Sequence, residues 1–282
     1  MTQESPRVGP KAAEDEIPLP GRRGPRGLAM RAVVPNAITA AALCSGLTGI
    51  RFAISGMWRE AIIAVILAGV LDVMDGRIAR LLKAQSRFGA ELDSLADSLS
   101  FGTAPALILF LWSLDVLPRV GWFAALAFAI CGALRLARFN AQIDVKDQPH
   151  KSAGFLTGVP APVGAGLALL PIYLWIATGE ELFRDARLVA PWTVLMAFLM
   201  ISNVPTLSWT LMRPRRDVRL GLIAVVGMVF AALLLEPWWT LAAICLVYLA
   251  LVPYAVTRYG RIRRLRAAVP APAVFDATSV PR

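Results

Sequence analysis

Polar and basic residues divide this chain into about eight apolar runs, each near the roughly 20 residues that a helix needs to cross a bilayer, and this limits its possible folds more than any other feature. The runs extend from about Asn36 to Ser55, Arg59 to Leu82, Phe88 to Leu114, Trp122 to Asn140, Gly158 to Thr178, Ala190 to Met212, Leu220 to Leu235 and Trp238 to Tyr254. Backbone amides in hydrocarbon must be satisfied within their own segment, so such runs are expected to be helices. With 57% hydrophobic and 17% charged residues over 282 positions, the chain is too apolar for a soluble domain of this size. The expected fold is all-α and polytopic, with a six-helix core followed by two C-terminal helices.

The basic residues orient these spans. Six Lys or Arg residues precede Pro35, four lie from Arg77 to Arg87, four from Arg135 to Lys151, four from Arg213 to Arg219 and six from Arg258 on, so alternate connections hold 24 of the 29. The positive-inside rule then puts both termini and those connections in the cytoplasm, and the protein in an inner membrane. The net charge of +10 is explained by this topology and by anionic lipid head groups, and gives no reason to expect nucleic acid. Residues 1–32 read as a basic cytoplasmic tail without a signal-peptide core, 33–258 as the membrane domain and 259–282 as a second basic tail. Cys44, Cys131 and Cys245 stand singly in apolar surroundings, and His150 is the one histidine, so neither zinc nor histidine chemistry is indicated.

Against that background four carboxylates stand out in LDVMDGRIARLLKAQSRFGAELDSLAD. At 3.6 residues per turn, Asp72, Asp75, Gly76 and Ala79 share one helical stripe, and Gly89, Asp93 and Asp97 share a stripe of the next helix. The run between them, with Arg77, Arg80, Lys83, Ser86 and Arg87, reads as a basic connection at the membrane surface. Four converging carboxylates repel one another unless a cation lies among them, and ionisable groups at membrane depth mark function. All-oxygen ligands suit Mg²⁺ or Mn²⁺, and two such ions clamp a phosphate between them. Gly76 and Gly89 leave room for something bulky beside a helix backbone, and Arg80 is a phosphate ligand or a carboxylate partner.

This stretch resembles the signature of the CDP-alcohol phosphatidyltransferases, DxxDGxxAR, eight residues, then GxxxDxxxD, with every fixed position filled by Asp72, Asp75, Gly76, Ala79, Arg80, Gly89, Asp93 and Asp97. The resemblance implies that Asp72, Asp75 and Asp93 are metal ligands and that Asp97 is the base and a further ligand. It also implies that Gly76, Ala79, Arg80 and Gly89 line a CDP pocket, and that the protein is a homodimer. Asn36 and Thr39, at the start of the first span, have two readings: helix capping after a Pro35 that opens the helix, or a contribution to the nucleotide pocket.

The signature leaves the acceptor alcohol open. ALRLARFN, GFLTGVPAPVGAG and FGAELDSLADSLSFGTAPA resemble the serine-accepting, membrane-integral bacterial branch of the family. That implies CDP-diacylglycerol and L-serine as substrates. Arg135 and Arg138, near Asn140, offer planar forks for a carboxylate or phosphate, while snorkelling flanks of a span are the plain alternative. Ser202 and Asn203, with Thr206, form a polar break expected inside the sixth span and are further acceptor candidates. Glycerol 3-phosphate or inositol phosphate as acceptor would use the same aspartates. A small ion-coupled transporter would instead place its acids near the midplane between inverted repeats, and here they cluster at one end of adjacent spans.

Overall fold

Small residues let the first helices approach closely. In this computed structural model, which describes residues 30–141, 155–202, 205–207 and 216–267, α1 (Met30–Ile54) packs along α2 (Trp58–Leu81). A side chain added at Gly49 would come within 3.0 Å of the Ala61 carbonyl, and α2 turns Ala61, Ala64, Val65 and Ala68 inward. Without a hydrophobic drive between helices in lipid, this closeness is what dispersion needs. The other flank of α1 carries α3 (Arg87–Asp97), a π-helical stretch (Ser98–Thr103) and α4 (Ala104–Trp112), which follow one another as a single rod. Gly46 faces Ser100 of the π stretch, 2.5 Å from where its Cβ would stand to the Ser100 hydroxyl. Thus α1 is the bracket on which both acidic helices are mounted.

The rest closes around α5 (Pro118–Ala141), which packs against the π stretch and against α8 (Ala186–Ile201). Between them lie α6 (Ala161–Ala168) and α7 (Leu170–Thr178), while α9 (Arg216–Leu235) rests on α10 (Pro237–Ala267), and α10 on α7. The main core, with Trp112, Phe128, Ile172, Tyr173, Met196 and Met200 fully buried, joins α4, α5, α7 and α8. A smaller cluster of Ala68, Phe101, Leu136, Ala161 and Ala165 lies beneath the aspartates and ties α2, the π stretch, α5 and α6 together.

The protein is a helical membrane protein. Among the described residues, Arg31–Ile54, Arg87–Trp112, Pro118–Ala141 and Ala161–Thr178 are long and apolar enough to cross a membrane, and Ala186–Ile201, Leu220–Leu235 and Pro237–Pro253 are shorter apolar helices. The 24-residue α2 falls outside both sets because its aspartates and arginines interrupt its apolar face. Large side chains such as Leu67, Val73, Phe123, Phe198 and Met228 are exposed, as lipid-facing positions should be.

Two expectations need correction. The first helix begins at Met30, so Pro35 lies inside it instead of opening it, and Asn36 and Thr39 are not capping residues. The sixth helix ends at Ile201, not Met212: Ser202 is its extended C-cap, and Pro205–Leu207 (β2) pairs antiparallel with Phe155–Thr157 (β1), placing Thr206 opposite Leu156. This ribbon is a small departure from an all-α fold. The last helix runs to Ala267, and its apolar part is Pro237–Pro253.

Candidate active site

The acidic constellation is assembled from local geometry. Asp72 and Asp75 sit one turn apart near the end of α2, and the chain reverses through residues 82–86, where Lys83 takes a left-handed φ of 49°. Ser86 caps α3, its hydroxyl accepting from the Gly89 amide at 3.0 Å, and Asp93 and Asp97 follow on successive turns. Carboxylate oxygens of Asp72, Asp75 and Asp93 lie within 4.8 Å of one another. Asp72 is in side-chain hydrogen-bond contact with both Asp93 and Asp97, which brings the fourth carboxylate to the edge of the trio. Asp75 is the most buried, at 4% exposure, and accepts a 2.5 Å hydrogen bond from the Thr39 hydroxyl on α1.

This arrangement fits divalent metal. Carboxylates in mutual contact need a cation or a shared proton between them, and among the described residues no Lys or Arg forms an ion pair with any of the four. An all-oxygen donor set this tight is suited to Mg²⁺ or Mn²⁺.

Beside the trio opens a cleft of about 260 Å³ between α1, α2 and the start of α3. Asn36, Thr39, Gly76, Ala79, Arg80 and Gly89, all singled out in the sequence, line it together with Asp75 and Asp93. The two signature glycines have different physical reasons. A Cβ on Gly76 would meet nothing within 4 Å, so that glycine leaves open space in the cleft. A Cβ on Gly89 would come within 2.9 Å of Asn36 Oδ1 and 3.1 Å of Ser86 Oγ, so that glycine permits α3 to approach α1. Gln85, which escaped the sequence reading, also lines the cleft, as does Ser86, read there only as part of the basic connection. A serine just ahead of an amphipathic run was a legible helix-start signal for Ser86, whereas nothing local marked Gln85.

The acceptor candidates are more scattered. Arg135 lies on α5 close enough to Asp97 for their charges to interact, and its Nε is buried without a hydrogen-bond partner. Arg138 is exposed, so the two arginines occupy different environments. Asn140 secures the end of α5 to α3, its amide donating to the Ser94 hydroxyl at 2.8 Å. The Ser202 hydroxyl donates to the Leu199 carbonyl at 2.8 Å, and Asn203 lies outside the described residues. The π stretch was not foreseen. It follows directly after Asp97 and resets the helical register between the acidic end and α4.

The sequence profile of the CDP-alcohol phosphatidyltransferases matches residues 32–209, which hold all four aspartates and the whole lining of the cleft. The chain belongs to that family. A second profile, described as CDP-alcohol phosphatidyltransferase 2, matches residues 217–253 on α9 and α10. A curated relative from Mycobacterium tuberculosis, named CDP-diacylglycerol--serine O-phosphatidyltransferase, is 37% identical over 83% of this chain and 81% of its own length. Relatives of the same name from Mycobacterium leprae and Helicobacter pylori are each 36% identical, over 79% and 60% of this chain and 74% and 70% of their own.

Proposed function

We propose that this protein transfers the phosphatidyl group of CDP-diacylglycerol to the hydroxyl of L-serine, giving phosphatidylserine and CMP. The observation that carries the reading is the contact of Asp97 with Asp72 at the edge of a carboxylate trio that opens onto the cleft. The names of relatives that match four-fifths of the chain support serine as the acceptor.

In this reading the acyl chains of the donor stay in the bilayer, and its nucleotide occupies the cleft against Asn36, Gly76, Ala79 and Gly89, with Arg80 toward the phosphates. Asp72, Asp75, Asp93 and Asp97 hold the divalent ions, which would neutralise the pyrophosphate and the charge gathering on CMP. Thr39 fixes the carboxylate of Asp75. Asp97 takes the proton from the serine hydroxyl as its oxygen attacks the phosphorus that bears diacylglycerol. The bond from that phosphorus to the oxygen of CMP breaks, and no covalent enzyme intermediate is required. Arg135, with a buried N–H seeking an acceptor beside Asp97, takes the serine carboxylate. The cleft opens to the cytoplasm of an inner membrane, a placement supported by the basic residues at this end of the spans.

The test is CMP release by the purified protein in detergent, with CDP-diacylglycerol, Mg²⁺ or Mn²⁺, and L-serine, glycerol 3-phosphate or inositol phosphate. Release that needs both metal and serine, with phosphatidylserine as product, is expected. Release with a different alcohol alone would overturn the acceptor, and no release with any of them would overturn the transferase reading.

A further inference from the structure

Two contacts fix how α5 lies along the rod formed by α3 and the π stretch. Beside the aspartates, the Asn140 amide donates to the Ser94 hydroxyl at 2.8 Å. Further along the rod, the backbones come so close that a Cβ on Gly132 would stand 3.4 Å from the Gly102 Cα. Ser94 meets Asn140 and Gly102 meets Gly132, so the helices run antiparallel, and the contacts are eight residues apart on each, about 12 Å at 1.5 Å per residue.

Asp97 and Arg135 lie inside this interval. Asp97 is three residues past Ser94 and Arg135 three past Gly132, so each shares a helix face with the contact before it. The faces that carry the proposed base and the guanidinium are therefore the faces that meet. In this register the two residues differ in level by roughly 3 Å along the axis.

The two contacts restrain different motions. Dispersion between glycine backbones has no direction, so it holds the helices together and still lets them slide, whereas a hydrogen bond is directional and fixes the register. The Ser94 hydroxyl gives its one proton to the Ala90 carbonyl at 3.0 Å, which leaves its oxygen to accept from Asn140. Asn140 stands in the last turn of α5, where the helix's own carbonyls lack partners and the end would otherwise fray. In serine, hydroxyl and carboxylate stand on adjacent carbons. Such an acceptor can engage Asp97 and Arg135 together only over a narrow range of separations.

We infer that Asn140 is a positioning residue whose bond to Ser94 sets the register of α5 against the acidic rod, and with it the separation of Arg135 from Asp97 that selects the acceptor. The inference rests on the serine-transfer reading and adds a residue that touches neither substrate.

Asn140→Ala and Ser94→Ala remove the bond from its two sides. In mixed micelles with CDP-diacylglycerol, Mg²⁺ and L-serine, each is expected to raise the serine KM about three- to tenfold, the range for losing one uncharged hydrogen bond. The KM for CDP-diacylglycerol should stay within about twofold of the parent, as should the serine KM of Ser94→Thr, which keeps the hydroxyl. Combining the two alanine changes should be no worse than either alone, because both remove the same bond. Arg135→Lys should raise the serine KM as well, and adding Asn140→Ala to it should cost less than in the parent, because the fork being positioned is gone. An unchanged serine KM in either alanine variant, effects that add in full, or a shift of both KM values together with a lower melting temperature would overturn the inference while leaving serine transfer standing. So would a Ser94→Thr variant as impaired as Ser94→Ala. A parent protein that releases CMP only with another alcohol would overturn the function on which the inference depends.

Discussion

On the donor side, every residue that lines the cleft or joins the carboxylate trio comes from α1, α2, the short connection after it and the start of α3, between Pro35 and Asp93, with Asp97 one turn further on. On the acceptor side of the proposed reaction, Arg135 comes from α5 and Ser202 from the end of α8, so two distant segments must pack before the group exists. In the proposed reaction the donor side takes the nucleotide, and it can be made from one hairpin braced on one helix. The acceptor side selects among small alcohols and depends on the placement of a few forks and hydroxyls. Donor-side residues should thus be severe and indifferent to the alcohol when changed, and acceptor-side residues milder and selective.

The largest effect should come from removing divalent ions. Chelation is expected to take CMP release to background with every alcohol, and adding Mg²⁺ or Mn²⁺ should restore it; activity that survives chelation would break the donor-side account at its centre. Next is Asp97→Asn, which should lower kcat by about 10²–10⁴-fold while the protein still inserts and folds, the usual worth of a positioned base. Substantial turnover in that variant would remove Asp97 from the base role.

The two signature glycines sharpen the donor side further. Gly76→Leu places atoms only in the open cleft, so the KM for CDP-diacylglycerol should rise with the melting temperature unchanged. Gly89→Ala meets Asn36 and Ser86, so its cost should appear as stability, on the order of 1–3 kcal/mol for overpacking, measured by thermal unfolding in detergent. If both variants behave alike, the distinction drawn from their surroundings is wrong. The smallest effect belongs to Arg138→Ala: exposed charges contribute about 0–1 kcal/mol, so the serine KM should move by no more than about fivefold. An effect equal to that of Arg135→Lys would merge the two arginines into one site.

The donor half was legible because its information is local. Helical periodicity puts Asp72 beside Asp75 and Asp93 beside Asp97, and a connection as short as residues 82–86 leaves the two stripes little choice but to meet. Asn36 and Thr39 could not be settled in the same way, because capping and pocket-lining differ only in where α1 begins. The extra turn before Pro35 decides against capping. The sixth span was overextended for a related reason: apolar residues continue past Ile201, and only pairing of Pro205–Leu207 with Phe155–Thr157 takes them out of the helix.

By itself the sequence determined that this chain is a helical membrane protein with four carboxylates on two adjacent helical stripes, since hydropathy and the 3.6-residue repeat act within a segment. Tertiary structure alone decided that Gly89 serves packing and Gly76 leaves space, and that Arg135 turns inward while Arg138 stays exposed. The physical reason is that burial and proximity between distant helices depend on which faces pack together, and no local period records that choice.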